Sequence, residues 1–296
     1  MDKRGELKPM KLPHSIKYKI SYYAGLNDIN GLKTYLLNLI TENSKSFNKD
    51  VNRFGTNSFY LHKFYTWLTC DGLKPYFKIF VTDGNKKLPF VTFSTLPGVT
   101  CPGAGDCLKW CYSFKAWTYP GAFFRQVQNT LLMHDFDVIR QELKKLVNLP
   151  EFKKMNKIDF RLYVDGDFKN IQEIKLWMEL LKEFPQVNAY GYSKSLNLFK
   201  ALSDTGYKFP KNYVLNLSNG GKFDYLHEVL NNLNFVRGNF EALDITKKTK
   251  ISEIRKTYPN KKIFVCPGQC GDCTKIGHAC GDLSTFKGYS IVIPKH

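Results

Sequence analysis

The feature that most constrains this chain is a regular alternation of strand and helix patterns across residues 158–265. Strand signatures, rich in β-branched and aromatic residues, sit at Ile158–Val164, Val187–Tyr192, Tyr213–Leu217, Phe235–Arg237 and Lys262–Val265. Helical patterns fill the gaps at Asn170–Phe184, Ser195–Ser203, Phe223–Asn232 and Ile251–Tyr258. The first of these is the clearest. Asn170 stands three residues before Glu173 as a cap, and Ile171, Ile174, Trp177, Met178 and Leu181 form one apolar stripe. Strands recurring about every 25 residues with a helix between them suit parallel βα units joined by right-handed crossovers. With the strand before Cys101 counted, six such units are expected. They make an α/β fold, either a partial (βα)6 barrel or a doubly wound sheet.

The rest of the chain reads as an N-terminal α+β extension over residues 1–84, ahead of a cysteine-rich βα domain over residues 85–296. Leu32, Tyr35, Leu36, Leu39 and Ile40 place a helix over Asp28–Glu42. Tyr76–Thr82 and Leu88–Ser94 read as a hairpin turning at Asp83-Gly84-Asn85. Pro120 opens a helical stretch to Val147, interrupted near Asp135. Hydrophobic residues make up 43% of the chain, enough for a sizeable core, so a disordered polymer is excluded. No uncharged apolar run reaches membrane-spanning length, and the first twenty residues hold no apolar signal core. A reducing cytoplasmic setting is therefore expected.

In that setting the cysteines are the chemical signal. Seven of the eight fall in two groups, Cys101-Cys107-Cys111 and Cys266-Cys270-Cys273-Cys280, with Gly and Pro between them. Glycines let a backbone wrap an ion and aim several thiolates at one point. Four cysteines in the second group suit a closed structural site, zinc or iron–sulfur. Three in the first leave a coordination position open for water, substrate or cofactor, unless His62, His134 or Cys70 closes it. Cys70 itself reads as a small buried hydrophobe. His278, inside the second group, reads as an exposed loop histidine before it reads as a ligand, and His296 is a weaker candidate still. Trp110 and Trp117 flank the first group and are expected to shield it from water.

In βα folds the strands deliver function at their C-terminal ends. There this sequence places Cys101–Cys111, Asp165-Gly166-Asp167, Tyr192-Ser193-Lys194, Ser218-Asn219-Gly220-Gly221, Arg237-Gly238 and Cys266–Cys273. Both thiol groups thus share one end of the sheet with acids, a lysine and an arginine. On the strand Ile158–Val164, Asp159, Arg161 and Tyr163 share one side. That polar side fits a polar barrel interior or, equally, an edge strand with one wet face.

The runs FSTLPGVTCPGAGDCLKWCYSFKAW, DFRLYVDGDF, GYSKS and CPGQCGDC, with the closing IPKH, resemble the phage gene product 88 domain family over roughly residues 85–296. That resemblance implies a phage or mobile-element context more than an activity. The layout also resembles the partial barrel of radical S-adenosylmethionine enzymes. This second resemblance implies a [4Fe–4S] cluster on Cys101, Cys107 and Cys111, and Asp167 against the methionine amine. It also implies Lys194, Ser218 and Arg237 against the cofactor carboxylate or ribose. The spacing departs from that family: Cys-x5-Cys-x3-Cys stands where Cys-x3-Cys-x2-Cys is usual.

The net charge of +18, from 44 basic and 26 acidic side chains, favours an anionic partner, nucleic acid first. A lysine-rich composition explains the same number without a partner. Three functions stay open at this stage. The first is a redox enzyme acting on a nucleic-acid base or a peptide. The second is a nucleic-acid-binding protein with structural metal, its aromatics offering stacking platforms. The third is a nuclease with Asp165 and Asp167 on Mg²⁺ and Arg237 as phosphate clamp.

Overall fold

The computed structural model describes residues 12–45, 56–70, 74–82, 88–245, 249, 251–271, 273–274 and 277–294. The chain groups into two compact units, Met1–Ile79 with Ser113–Gln141, and Phe80–Tyr112 with Glu142–His296.

The first unit is helical. It contains α1 (His14–Gly25), α2 (Ile29–Lys45), α3 (Thr56–Thr69), α4 (Ser113–Ala116) and α5 (Pro120–Leu132). Pro120 opens α5, where its missing N–H costs nothing. Leu32 and Leu36 of α2, Phe64 of α3, and Phe123 and Phe124 of α5 are fully buried. Tyr60 stacks on Phe124 at 6.0 Å, and Trp117 is buried with Phe114 and Phe123 at 4.9 and 5.2 Å. Trp117 therefore belongs to this helical core. Cys70 is exposed, not a buried hydrophobe.

Of the expected hairpin, the structure shows one antiparallel bridge, Val81 to Thr92; Asp83-Gly84-Asn85 lies outside the described residues. The physical reason is a buried glutamine. Gln128 Oε1 accepts from the backbone N–H of Tyr76 and Phe77 at 2.7 and 2.8 Å, and its Nε2 donates to Phe77 O. One side chain thus satisfies groups that a partner strand would otherwise pair.

Helix α6 (Phe136–Val147) leads into the second unit, followed by α7 (Pro150–Lys153). Among the described residues the second unit is built on seven parallel strands: β1 (Val91–Thr92), β2 (Ile158–Leu162), β3 (Val187–Ser193), β4 (Tyr213–Ser218), β5 (Val236–Leu243), β6 (Ile263–Val265) and β7 (Ser290–Pro294). Their order is β1-β2-β3-β4-β5-β7-β6. The alternation expected from the sequence is present, with α8 (Ile171–Glu183), α9 (Leu196–Asp204), α10 (His227–Asn231) and α11 (Ile251–Thr257) between strands. Asn170 caps α8 as its spacing implies, accepting from Glu173 N at 2.9 Å. The unit count is the correction. A seventh strand, β7, inserts between β5 and β6.

Alternation along β2–β4 separates two faces. Phe160, Leu162, Ala189, Tyr213 and Leu215 are buried on one side, where Trp177 of α8 and Phe199 of α9 meet Phe160 and Tyr213. Asp159, Arg161, Tyr190, Tyr192, Val214 and Asn216 share the other, in register across the sheet. Strand β2 pairs on both sides, so the edge-strand reading of its polar face is overturned. That face is covered by the segment after β6, whose Ala279, Cys280 and Phe286 pack on Tyr190, Val214 and Ile291.

Candidate metal centre

The first thiol group owes its position to backbone contacts. Thr100 Oγ1 donates to Leu96 O at 2.7 Å and pairs with Thr95 Oγ1, folding the chain after β1 into a tight loop. The loop then locks onto the ends of β3 and β4. Ala104 bridges Gly221, Lys222 N donates to Gly103 O at 2.9 Å, and Cys107 N donates to Gly220 O. Gly103 lies so close that an added Cβ would stand 1.9 Å from Lys194 O. Only glycine permits that approach. Gly166, at φ +82°, makes the matching approach to Thr95 from the end of β2.

The result brings Cys101, Cys107 and Cys111 together with Asp167, Lys194 and Ser218. Cys101 and Cys107 each feel the charge of Cys111. Burial pushes the Cys101 thiol well above its ordinary range, and the Asp167 charge adds to it. Burial also raises Cys107, against the pull of the Lys194 ammonium. Lys194 Nζ donates to Ser218 Oγ.

Asp167 is buried and committed to the fold. Its Oδ1 accepts from Ser193 Oγ at 2.7 Å and Phe168 N at 2.8 Å; its Oδ2 accepts from Lys194 N at 2.8 Å and Ser195 N at 3.1 Å. Burial nevertheless holds its carboxyl above the usual range. Asp165 is buried beside it, its backbone N–H donating to Ser94 Oγ. Arg237 is a strut away from this cluster. Its Nε donates to Asn216 Oδ1 at 2.6 Å, Nη1 to Tyr289 O and Nη2 to Asn239 O at 2.7 Å. Each of its three nitrogens thus donates inside the protein.

The second thiol group is held differently. Cys266 N donates to Val292 O, which ties the segment to β7. Backbone N–H groups then point at sulfur: Gly268 N to Cys266 Sγ at 3.4 Å and Ala279 N to Cys273 Sγ at 3.2 Å. Such donors favour thiolate and metal-bound sulfur. Cys266, Cys270 and Cys273 interact electrostatically with one another, and Cys280 with Cys266. Burial pushes Cys280 up to about 12, against a hydrogen bond from Tyr192 and the charge of Arg237.

His278 is not an exposed loop residue. It is buried between Phe90 and Tyr190, each 4.6 Å from its ring, with Nε2 3.4 Å from Asp159 and Nδ1 accepting from Gly281 N. His62, His134 and Cys70 belong to the helical unit, and His296 lies outside the described residues. Among the described residues, no three His, Cys, Asp or Glu side chains converge as a ready-made cage for a metal ion. The donor sets are nonetheless right for a soft metal: three neighbouring thiols in one group, four in the other, each on a loop fixed to the sheet. Sequence reasoning missed Tyr112, whose hydroxyl donates to Val164 O at 2.7 Å beside the first loop. It also gave no role to Arg161, although the polar side of β2 was the signal.

A family model described as gene product 88 matches residues 74–278, a span that holds the first thiol group and three of the four cysteines in the second. No curated protein and no solved structure matches the chain.

Proposed function

The chain belongs to the gene product 88 family, and from that premise we propose that it is a phage metalloprotein with a metal centre on Cys101, Cys107 and Cys111. The observation that carries this reading is the backbone locking of that loop against the ends of β3 and β4, which sets Cys107 by Lys194 and keeps Cys101 and Cys107 near Cys111. A loop held by main-chain contacts would keep its three thiols near one another before any metal arrives. Three ligands leave one position open, and an iron–sulfur cluster there would supply redox chemistry or S-adenosylmethionine activation. Curvature of the parallel sheet into a partial barrel belongs to this reading, supported by the polar face of β2 lying under the C-terminal segment.

The protein's own groups have separable roles. Lys194 offsets negative charge at Cys107 and keeps further donors for an anionic part of a ligand. Ser218 orients the Lys194 ammonium. Asp167 fixes the loop after β3 and, with four internal hydrogen bonds, is a positioning residue rather than a ligand for an amine. Cys266, Cys270, Cys273 and Cys280 would hold a second, structural centre, supported by the N–H groups aimed at their sulfurs. The charge of +18 supports contact with nucleic acid, and binding that weakens steeply with salt is the expected sign.

Anaerobic purification with iron, sulfide and zinc analysis tests the proposal. A brown protein with iron and sulfide supports the redox centre. A colourless protein with zinc alone would instead favour a structural role for both thiol groups. A protein free of both metals removes the proposal.

A further inference from the structure

The two best-buried arginines of the sheet unit are partnered in opposite ways. Arg237 donates through Nε, Nη1 and Nη2 to one side-chain and two backbone oxygens. The side chain of Arg161, on β2, makes no hydrogen bond and no ion pair among the described residues, and its Nε is wholly shielded from solvent. Its guanidinium lies over the Tyr192 ring, 4.8 Å from the centroid. Leaving a shielded guanidinium donor without an acceptor is costly, and a protein retains such an arrangement where something else supplies the acceptor.

The surroundings say what that is. Arg161 is in register with Tyr190 on the face covered by the C-terminal segment. The groups whose charge it feels most are Tyr112, Tyr192, Tyr190 and Cys270. No carboxylate is among them. The one acid on the same side of β2, Asp159, is engaged by His278, Lys157 and Asn188 at 3.4, 3.1 and 3.3 Å. A planar fork of donors beside aromatic rings, with no acid of its own among the described residues, is built for an oxyanion.

We propose that Arg161 is the anchor of an anion-binding subsite, taking the carboxylate or phosphate group of a small ligand on the sheet face that also carries the second thiol group. The proposal deepens the metalloprotein reading by giving its ligand an anionic end, and it rests on that reading only for the identity of the site as functional. Tyr192 lies against the guanidinium, and Tyr112 and Tyr190 are its other near neighbours.

Calorimetric titration of the full chain, as isolated, with inorganic phosphate and separately with acetate is the test. At least one anion binds saturably, and which of the two binds more tightly distinguishes a phosphorylated from a carboxylated ligand. Arg161→Met weakens that binding at least ten-fold. Arg161→Lys, which keeps charge and loses the fork, weakens it several-fold and carries the test if the Met variant does not fold. Without anion, Arg161→Met melts no lower than the parent, because no partner is orphaned, whereas Arg237→Met melts well below it. Failure of the parent to bind either anion overturns the proposal, as does undiminished binding by Arg161→Met. Loss of metal in Arg161→Met also overturns it and makes the cation a counter-charge to the thiol group. Metal content measured on the same parent sample reports separately on the metal centre, so the two readings fail independently.

Discussion

The two thiol groups stand on the same sheet but are held by different balances of main-chain bonding and packing. Cys101–Cys111 is locked by main-chain contacts to the loops after β3 and β4, including an approach at Gly103 that leaves no room for a side chain. Cys266–Cys280 lies across a sheet face, anchored by apolar packing of Ala279, Cys280 and Phe286 and by N–H groups aimed at its sulfurs. On the proposed metalloprotein reading, the difference teaches which group would depend on metal. A loop fixed by its backbone keeps its shape when empty and can leave a ligand position open. A segment that rests on apolar packing, with N–H groups aimed at its sulfurs, would need the metal to close it, as small structural metal sites do.

The largest effect that separates them is chelation. Stripping metal should destabilise the sheet unit by about 3–5 kcal/mol and expose the 266–289 segment to protease, while the 101–111 loop stays protected. Limited proteolysis with and without chelator reads this directly. Equal exposure of both loops would break the comparison.

Gly103→Ala should be next, costing about 2–4 kcal/mol, because a methyl group there meets the Lys194 backbone and not a movable side chain. Thermal melting measures the cost, and metal at the first group should fall with it while metal at the second is kept.

The fold of the sheet unit was largely legible because each strand and helix carries its own signal. Asn170 and Glu173 mark the start of α8 from four adjacent letters, and the hydrophobic period supplies the rest. β7 was not legible. Ser290–Pro294 is five residues long, and its place between β5 and β6 depends on pairings with strands 25 to 50 residues away. The hairpin failed for a related reason, since Gln128 replaces a strand partner from about fifty residues off. At the candidate site the thiols were legible as a spacing pattern, and their delivery to strand ends followed from the βα alternation. The roles of Asp167 and Arg237 were not, because a turn aspartate and a strand arginine look the same whether their partners are a ligand or Ser193, Asn216 and backbone oxygens.

Asp167→Asn should have a smaller, pH-dependent effect of about 1–3 kcal/mol at its greatest, because the carboxyl titrates and its amide replacement does not. Burial raises the folded-state pKa of the carboxyl. Its contribution is therefore fully present below the ordinary carboxylate pKa and is lost as pH rises through the folded value. The penalty of the substitution should be greatest in acid and shrink toward neutral pH, measured by denaturant midpoints across that window. A penalty that grows with pH would show that the hydrogen bonds outweigh burial.

The smallest effect is expected at Lys109, whose pair with Asp106 on the first loop is open to solvent. Lys109→Ala should leave both melting temperature and metal content unchanged. A loss of metal there would mean the loop is held by surface charge rather than by its backbone.

The central claim is tested most directly by metal analysis of the triple variant Cys101→Ala, Cys107→Ala, Cys111→Ala, purified without oxygen beside the parent. The account predicts that the variant folds, loses the metal of one centre and keeps that of the C-terminal four-cysteine group. A metal content and visible spectrum identical to those of the parent would contradict it.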